Sequence, residues 1–156
     1  MTTKEELEQC TMSIYDDEGG LMRTSKEEMD AFVSAADFAK EVYDVLDKYA
    51  IVNKIKPKYE GLAEIIKTNE KTIKESVSGK RTITRHFLYK MVVGLKMDID
   101  EAKRIFELSG DGSLSKDRKE DLVCINALRD KDSIDFFINE FNGYFKKHKI
   151  NTLSEK

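Results

Sequence analysis

Residues 62–81 read LAEIIKTNEKTIKESVSGKR, and the reading of this stretch decides how the rest of the chain is built. Together with Tyr59 just before it, Leu62, Ala63 and Ile66 fall at i, i+3, i+4 and i+7, one apolar stripe on one helical face. The second part has two apolar anchors one turn apart, Ile73 and Val77, while Lys71, Thr72, Lys74, Glu75 and Ser78 point elsewhere. A helix with so few anchors is expected to be held from behind and to present its polar face outward. Between the two, Thr68 and Asn69 carry side chains that can cap the amides of the second helix, and Asn69 is the better N-cap. Gly79 is expected to end that helix, because glycine enters the left-handed conformation without a Cβ penalty.

In order and spacing the stretch resembles the helix-turn-helix of the lambda-repressor/Cro type, also called the Xre type. The residues that carry the resemblance are the Leu62-Ala63 pair, its spacing to Thr72-Ile73, and the exit Ser78-Gly79-Lys80-Arg81. It continues through ITRHFLYKMVVGLKMDIDEAKRIFELSG, residues 83–110, which look like the family's fourth and fifth helices. Where the family usually has Gly and then an apolar residue in the turn, this chain has Lys67 and Thr68. The resemblance implies a DNA-binding second helix and, in many such repressors, a dimer that reads two half-sites.

Net charge is −3, but it is unevenly spread. Residues 1–53 hold 5 Lys/Arg against 13 Asp/Glu, residues 54–96 hold 11 against 4, and residues 97–156 hold 11 against 13. The basic segment coincides with the stretch quoted above, as a nucleic-acid-binding face requires. The chain has a single proline, Pro57, and abundant aliphatic residues, so an all-α fold is expected. Neither a membrane-length apolar run nor a basic-then-apolar leader is legible, so the expected location is cytoplasmic with no membrane partner. Cys10 and Cys124 belong to no Cys-x-x-Cys pair and read as reduced thiols.

Along the chain, three regions are expected. Residues 1–24 read as an acidic, flexible or loosely docked arm: Thr3-Lys4-Glu5-Glu6 has the form of a capping box, but Tyr15-Asp16-Asp17-Glu18-Gly19-Gly20 interrupts it. Residues 25–110 read as the helix-turn-helix domain with an N-terminal helical extension. That extension opens on a second capping box, Ser25-Lys26-Glu27-Glu28, and its pattern fits one long helix or two with a break near Ser34. Pro57 fits the first turn of the next helix. Thr84 and Asp98 are expected to cap the fourth and fifth helices, with Phe87, Leu88, Met91, Val92 and Leu95 inward on one and Ile99, Ala102, Ile105 and Phe106 on the other. Beyond Gly110 and Gly112, residues 111–156 read as a C-terminal helical pair. Its aromatic stripe Phe137, Phe141, Tyr144 and Phe145 either packs on the body or makes a homodimer. Residues 146–149 (Lys, Lys, His, Lys) would close the last helix, where positive charge suits the dipole.

No catalytic or metal-binding constellation stands out. His86 and His148 are the only histidines, neither with a partner at zinc-ligand spacing, and His86 is expected to face solvent or a phosphate. Asp111-Gly112-Ser113 lacks the glutamate and sixth-position glycine of a calcium loop. No enzyme activity, cofactor or metal is expected, which leaves recognition. The expected function is sequence-specific binding of double-stranded DNA, as a transcriptional regulator of a bacterium, phage or mobile element. Lys71, Thr72, Lys74 and Glu75 are the base-reading candidates, and Lys58, Lys67, Asn69, Lys80, Arg81 and Arg85 the backbone contacts. The alternative is a protein-interaction module, a phage anti-defence inhibitor or an antitoxin on the same scaffold, meeting its partner through Asp16, Asp17 and Glu18.

Overall fold

The computed structural model describes residues 1–15 and 25–151, with the backbone alone for residues 25–35. Eight helices and no strand are present among them: α1 (Lys4–Gln9), α2 (Ser25–Val52), α3 (Lys58–Ile66), α4 (Glu70–Val77), α5 (Arg85–Gly94), α6 (Ile99–Leu108), α7 (Lys119–Asp130) and α8 (Ile134–Tyr144). No helix of the described residues is long and apolar enough to cross a membrane. The α2 backbone is one continuous helix of 28 residues, without a break near Ser34. The side chains of its expected capping box lie outside the described ones.

The helices begin where side chains replace missing backbone partners. Thr84 accepts from the Phe87 amide, Asp98 from Asp100 and Ser133 from Phe136. Pro57 is displaced by one from its expected place, standing at the N-cap of α3 rather than inside the first turn. The apolar stripes meet in one cluster. Val42 and Leu46 of α2, Leu62 and Ile66 of α3, Met91 and Val92 of α5, Ile105 and Phe106 of α6, and Phe137 and Phe141 of α8 are all at most 2 % exposed. Large side chains buried this fully contribute about 1.5–3 kcal/mol each. Gly94 lets α5 press against α3, since a Cβ there would stand 2.7 Å from the Ile65 carbonyl oxygen.

The C-terminal pair belongs to this same core. Phe137, Ile138 and Phe141 pack inward, and Tyr89 of α5 meets both phenylalanine rings at centroid distances of 6.3 and 5.7 Å. The aromatic stripe is thus used within the chain, although Tyr144 stays exposed. The lysines after it do not close the helix: α8 ends at Tyr144, and residues 146–149 form an exposed turn beyond it.

Residues 1–15 are not a loose arm. Thr3 and Glu6 complete the expected capping box, and Leu7 and Cys10 are buried. The Met1 ammonium meets Asp130 at 2.7 Å, Thr2 takes a bond from Asn126 Nδ2 at 2.9 Å, and Tyr144 Oη donates to the Thr2 carbonyl at 2.6 Å. Met12 pairs in parallel with Arg118, and the Glu120 carboxylate accepts from the Ser13 hydroxyl and the Ile14 amide. Nothing local in the sequence marks this docking, because each bond joins residues more than a hundred positions apart.

Candidate nucleic-acid interface

The α3–α4 unit turns on three residues. Lys67 caps α3 in the left-handed region, φ 54° and ψ 44°, a conformation uncommon for a residue other than glycine. Its carbonyl accepts from Lys90 Nζ at 3.1 Å, which ties the turn to α5. Thr68 is buried and donates to the Ile66 carbonyl, so it does not cap α4. Asn69 does, its Oδ1 accepting from the Thr72 amide at 2.8 Å. At the far end Gly79 has φ 83°, and the amides of Lys80 and Arg81 both bond the Glu75 carbonyl.

Seated in this way, α4 buries Ile73 and Ser76 and leaves Lys71 and Lys74 exposed. Thr72 and Glu75 are half-buried beside them. The charges on this face are partly paired. Lys74 Nζ lies 3.6 Å from Glu70 and 5.4 Å above the Tyr59 ring, and Arg81 Nη2 meets Glu75 at 2.7 Å. The Arg81 hydrogen bond holds the Glu75 carboxyl below its usual value, so Glu75 stays an anion committed to Arg81. Lys71 and Lys80 are exposed and have no ion pair among the described residues.

The remaining expected backbone contacts divide. Lys67 is half-buried, with Asp135 at 3.9 Å, and Asn69 has its oxygen committed to the cap. Lys58 is bound inward: its ammonium lies 3.0 Å from Asp47, 3.3 Å from Tyr43 Oη, and over the rings of Tyr43 and Tyr59. The hydrogen bond to Asp47 raises its pKa. Arg85 departs furthest from expectation. It is 8 % exposed, donates Nε and Nη2 to Asp121 at 3.1 and 2.7 Å, and gives its remaining donors to the carbonyls of Asp111, Gly112 and Ser113. A guanidinium so placed joins α5 to α7 and the loop before it, and has no donor left for a phosphate.

His86 corrects a further expectation. Rather than facing solvent, it shares a hydrogen bond with Tyr15 Oη and meets Phe141 edge-on at 5.4 Å. Burial, with Lys90 and His148 adding cationic repulsion, pushes it down to about 4, so it is neutral. The acidic triplet Asp16, Asp17 and Glu18 lies outside the described residues.

The cationic surface therefore narrows to Lys71 and Lys74 on α4, with Lys80 and Arg81 at its exit. The exposed Lys54 and Lys56 stand in the connector before α3. Comparisons of the chain with protein-family models, with curated proteins and with solved structures each find no match.

Proposed function

We propose that the chain is a sequence-specific double-stranded DNA-binding protein of the helix-turn-helix kind, acting in transcription regulation, with α4 entering the major groove. The observation that carries this reading is the seating of α4. Ile73 is fully buried beneath it and Asn69 caps it, while Lys71 and Lys74 are exposed on its outer face, Lys74 beside Glu70 and the Tyr59 ring. A helix held from one side, with donors on the other, suits a groove about 12 Å wide. Lys71 can donate to guanine O6 and N7, and Thr72 can meet a thymine methyl. Lys80, Lys54 and Lys56 supply phosphate contacts, which make affinity fall steeply with salt. Lys58 and Arg85 are left out of this set because their charges are already engaged. Selection of a randomised duplex library on the purified protein tests the proposal. It requires a winning motif bound at least ~10³-fold more tightly than a scrambled duplex, whereas equal, salt-labile binding to both would refute sequence-specific recognition.

A further inference from the structure

A second basic surface lies away from α4, where the N-terminal segment crosses the end of α8. A groove of about 780 Å³ opens there. Its cations are Lys4, Lys119, Lys146 and Lys147, with Glu8 as the acidic residue among its lining. None of these four lysines forms an ion pair among the described residues, in a chain whose net charge is −3. Tyr144 and Phe145 supply aromatic surface in the same lining. Met12 gives its amide to the Asp117 carbonyl and takes the Lys119 amide, so the edge on that side is used. Thr11 and Ser13 flank it and line the groove, and among the described residues their amides have no hydrogen-bond partner. In a parallel pairing the neighbours of a bonded residue turn their amides to the opposite side, which offers a short edge for strand addition.

We infer that this groove binds an acidic peptide segment. The segment adds in extended form along Thr11 and Ser13, its carboxylates meet the four lysines, and one large apolar side chain sits against Tyr144 and Phe145. Single-stranded nucleic acid fits less well, because it binds by stacking bases on free aromatic faces. Here one face of Tyr15 is stacked on His148 at 3.9 Å and Phe145 leans on Phe141 at 4.7 Å, which leaves Tyr144, its hydroxyl held by the Thr2 carbonyl, as the exposed tyrosine of the lining.

The test is selection of a displayed random peptide library on the full-length protein, with the best peptide then synthesised and its affinity measured. The comparison protein is K4E/K119E/K146E/K147E. Lys4 and Lys119 are the first residues of α1 and α7, where glutamate suits the helix dipole, and Lys146 and Lys147 are exposed. The variant is therefore expected to keep the wild-type melting temperature. The inference requires enrichment of peptides carrying several carboxylates and one large apolar residue. It also requires affinity at least ~10-fold weaker in the variant, and slowed hydrogen exchange of the Thr11 and Ser13 amides when the peptide is bound. The duplex motif selected through α4 should be the same in both proteins, with the added negative charge weakening motif and scramble alike, which separates this test from that of the proposed function. Absence of acidic enrichment, equal affinity for both proteins, unchanged exchange at both amides, or displacement of the peptide by a thymidine oligonucleotide that itself needs the four lysines would each overturn it.

Discussion

Arg85 and Asp121 meet in a two-bond ion pair in the interior, 6 % and 0 % exposed at their side chains, and join the start of α5 to α7. Asp121 also accepts from the Tyr89 hydroxyl and, at 3.1 Å, from the Ser115 amide. Every strong acceptor direction of the carboxylate is in use. Such a pair is costly to break from one side, since the remaining charge is left buried without compensation.

Asp121→Ala is therefore expected to destabilise the fold by about 3–5 kcal/mol, read by urea denaturation. Arg85→Met/Asp121→Asn should recover part of that loss, because no uncompensated charge is left and the asparagine still accepts from Tyr89. A double variant as unstable as Asp121→Ala would show that the uncompensated charge is not the main cost, and that the Arg85 bonds to the carbonyls of Asp111, Gly112 and Ser113 carry it.

Gly94→Ala separates helix propensity from packing. In an exposed helix the exchange gains about 1 kcal/mol. Here the new methyl would lie 2.7 Å from the Ile65 carbonyl oxygen and 3.2 Å from Ile66 Cα, both backbone atoms of α3. Net destabilisation of about 1–3 kcal/mol is expected from a thermal melt, since α3 must move away from α5. A neutral or stabilising outcome would mean that the two helices are not pressed together.

The turn before α4 yields two substitutions of opposite sign. Asn69→Ala removes the acceptor of the Thr72 amide and should cost about 1 kcal/mol. Lys67→Gly relieves a left-handed non-glycine residue and should stabilise by up to about 1 kcal/mol, less whatever its exposed contact with Asp135 contributes. Denaturant midpoints of the two variants, moving in opposite directions from wild type, are the expected reading.

His86 gives a pH dependence of definite sign. Its folded pKa is about 4, below the ordinary value of 6.5, so the unfolded chain takes up a proton before the folded one does. Its contribution to stability is whole above about pH 6.5 and is lost as pH falls from there to about 4, on the order of a few kcal/mol. Glu120 opposes this trend, since burial raises its carboxyl and favours the folded state in acid. His86→Gln keeps an acceptor for Tyr15 and removes the titration. Its stability curve should be flatter than wild type between pH 4 and 6.5, and parallel curves would contradict the burial of His86.

Much of this architecture was legible in the sequence, because helix periodicity and caps are local. The stripe of Leu62, Ala63 and Ile66, the Asn69 cap, the Thr3-Glu6 box and the stop at Gly79 are each decided within a few residues. What was not legible depends on partners distant in sequence. A basic residue beside a basic stretch reads as a phosphate contact, and nothing local distinguishes Arg85, whose carboxylate lies 36 positions away, from Lys80, which is exposed. The same holds for Lys58, drawn inward by Asp47, and for the docked first fifteen residues. On α4 the spacing identified Lys71, Lys74 and Ser78 as exposed, but not the half-burial of Thr72 and Glu75, the burial of Ser76, or the pairing of Glu75 with Arg81, which depends on how the chain folds back after Gly79.

The proposed function places DNA reading on the outer face of α4. The most direct measurement runs the randomised-duplex selection in parallel on the wild-type protein and on K71E/K74E. Both positions are exposed, and Lys74 loses a surface pair with Glu70 and a contact over the Tyr59 ring, so the variant should stay within about 1 kcal/mol of wild type. The account predicts a motif enriched by the wild type and bound at least ~10³-fold more tightly than a scramble, with no motif enriched by the variant. A variant that recovers the same motif with the same affinity, or a wild type that enriches none, would contradict it.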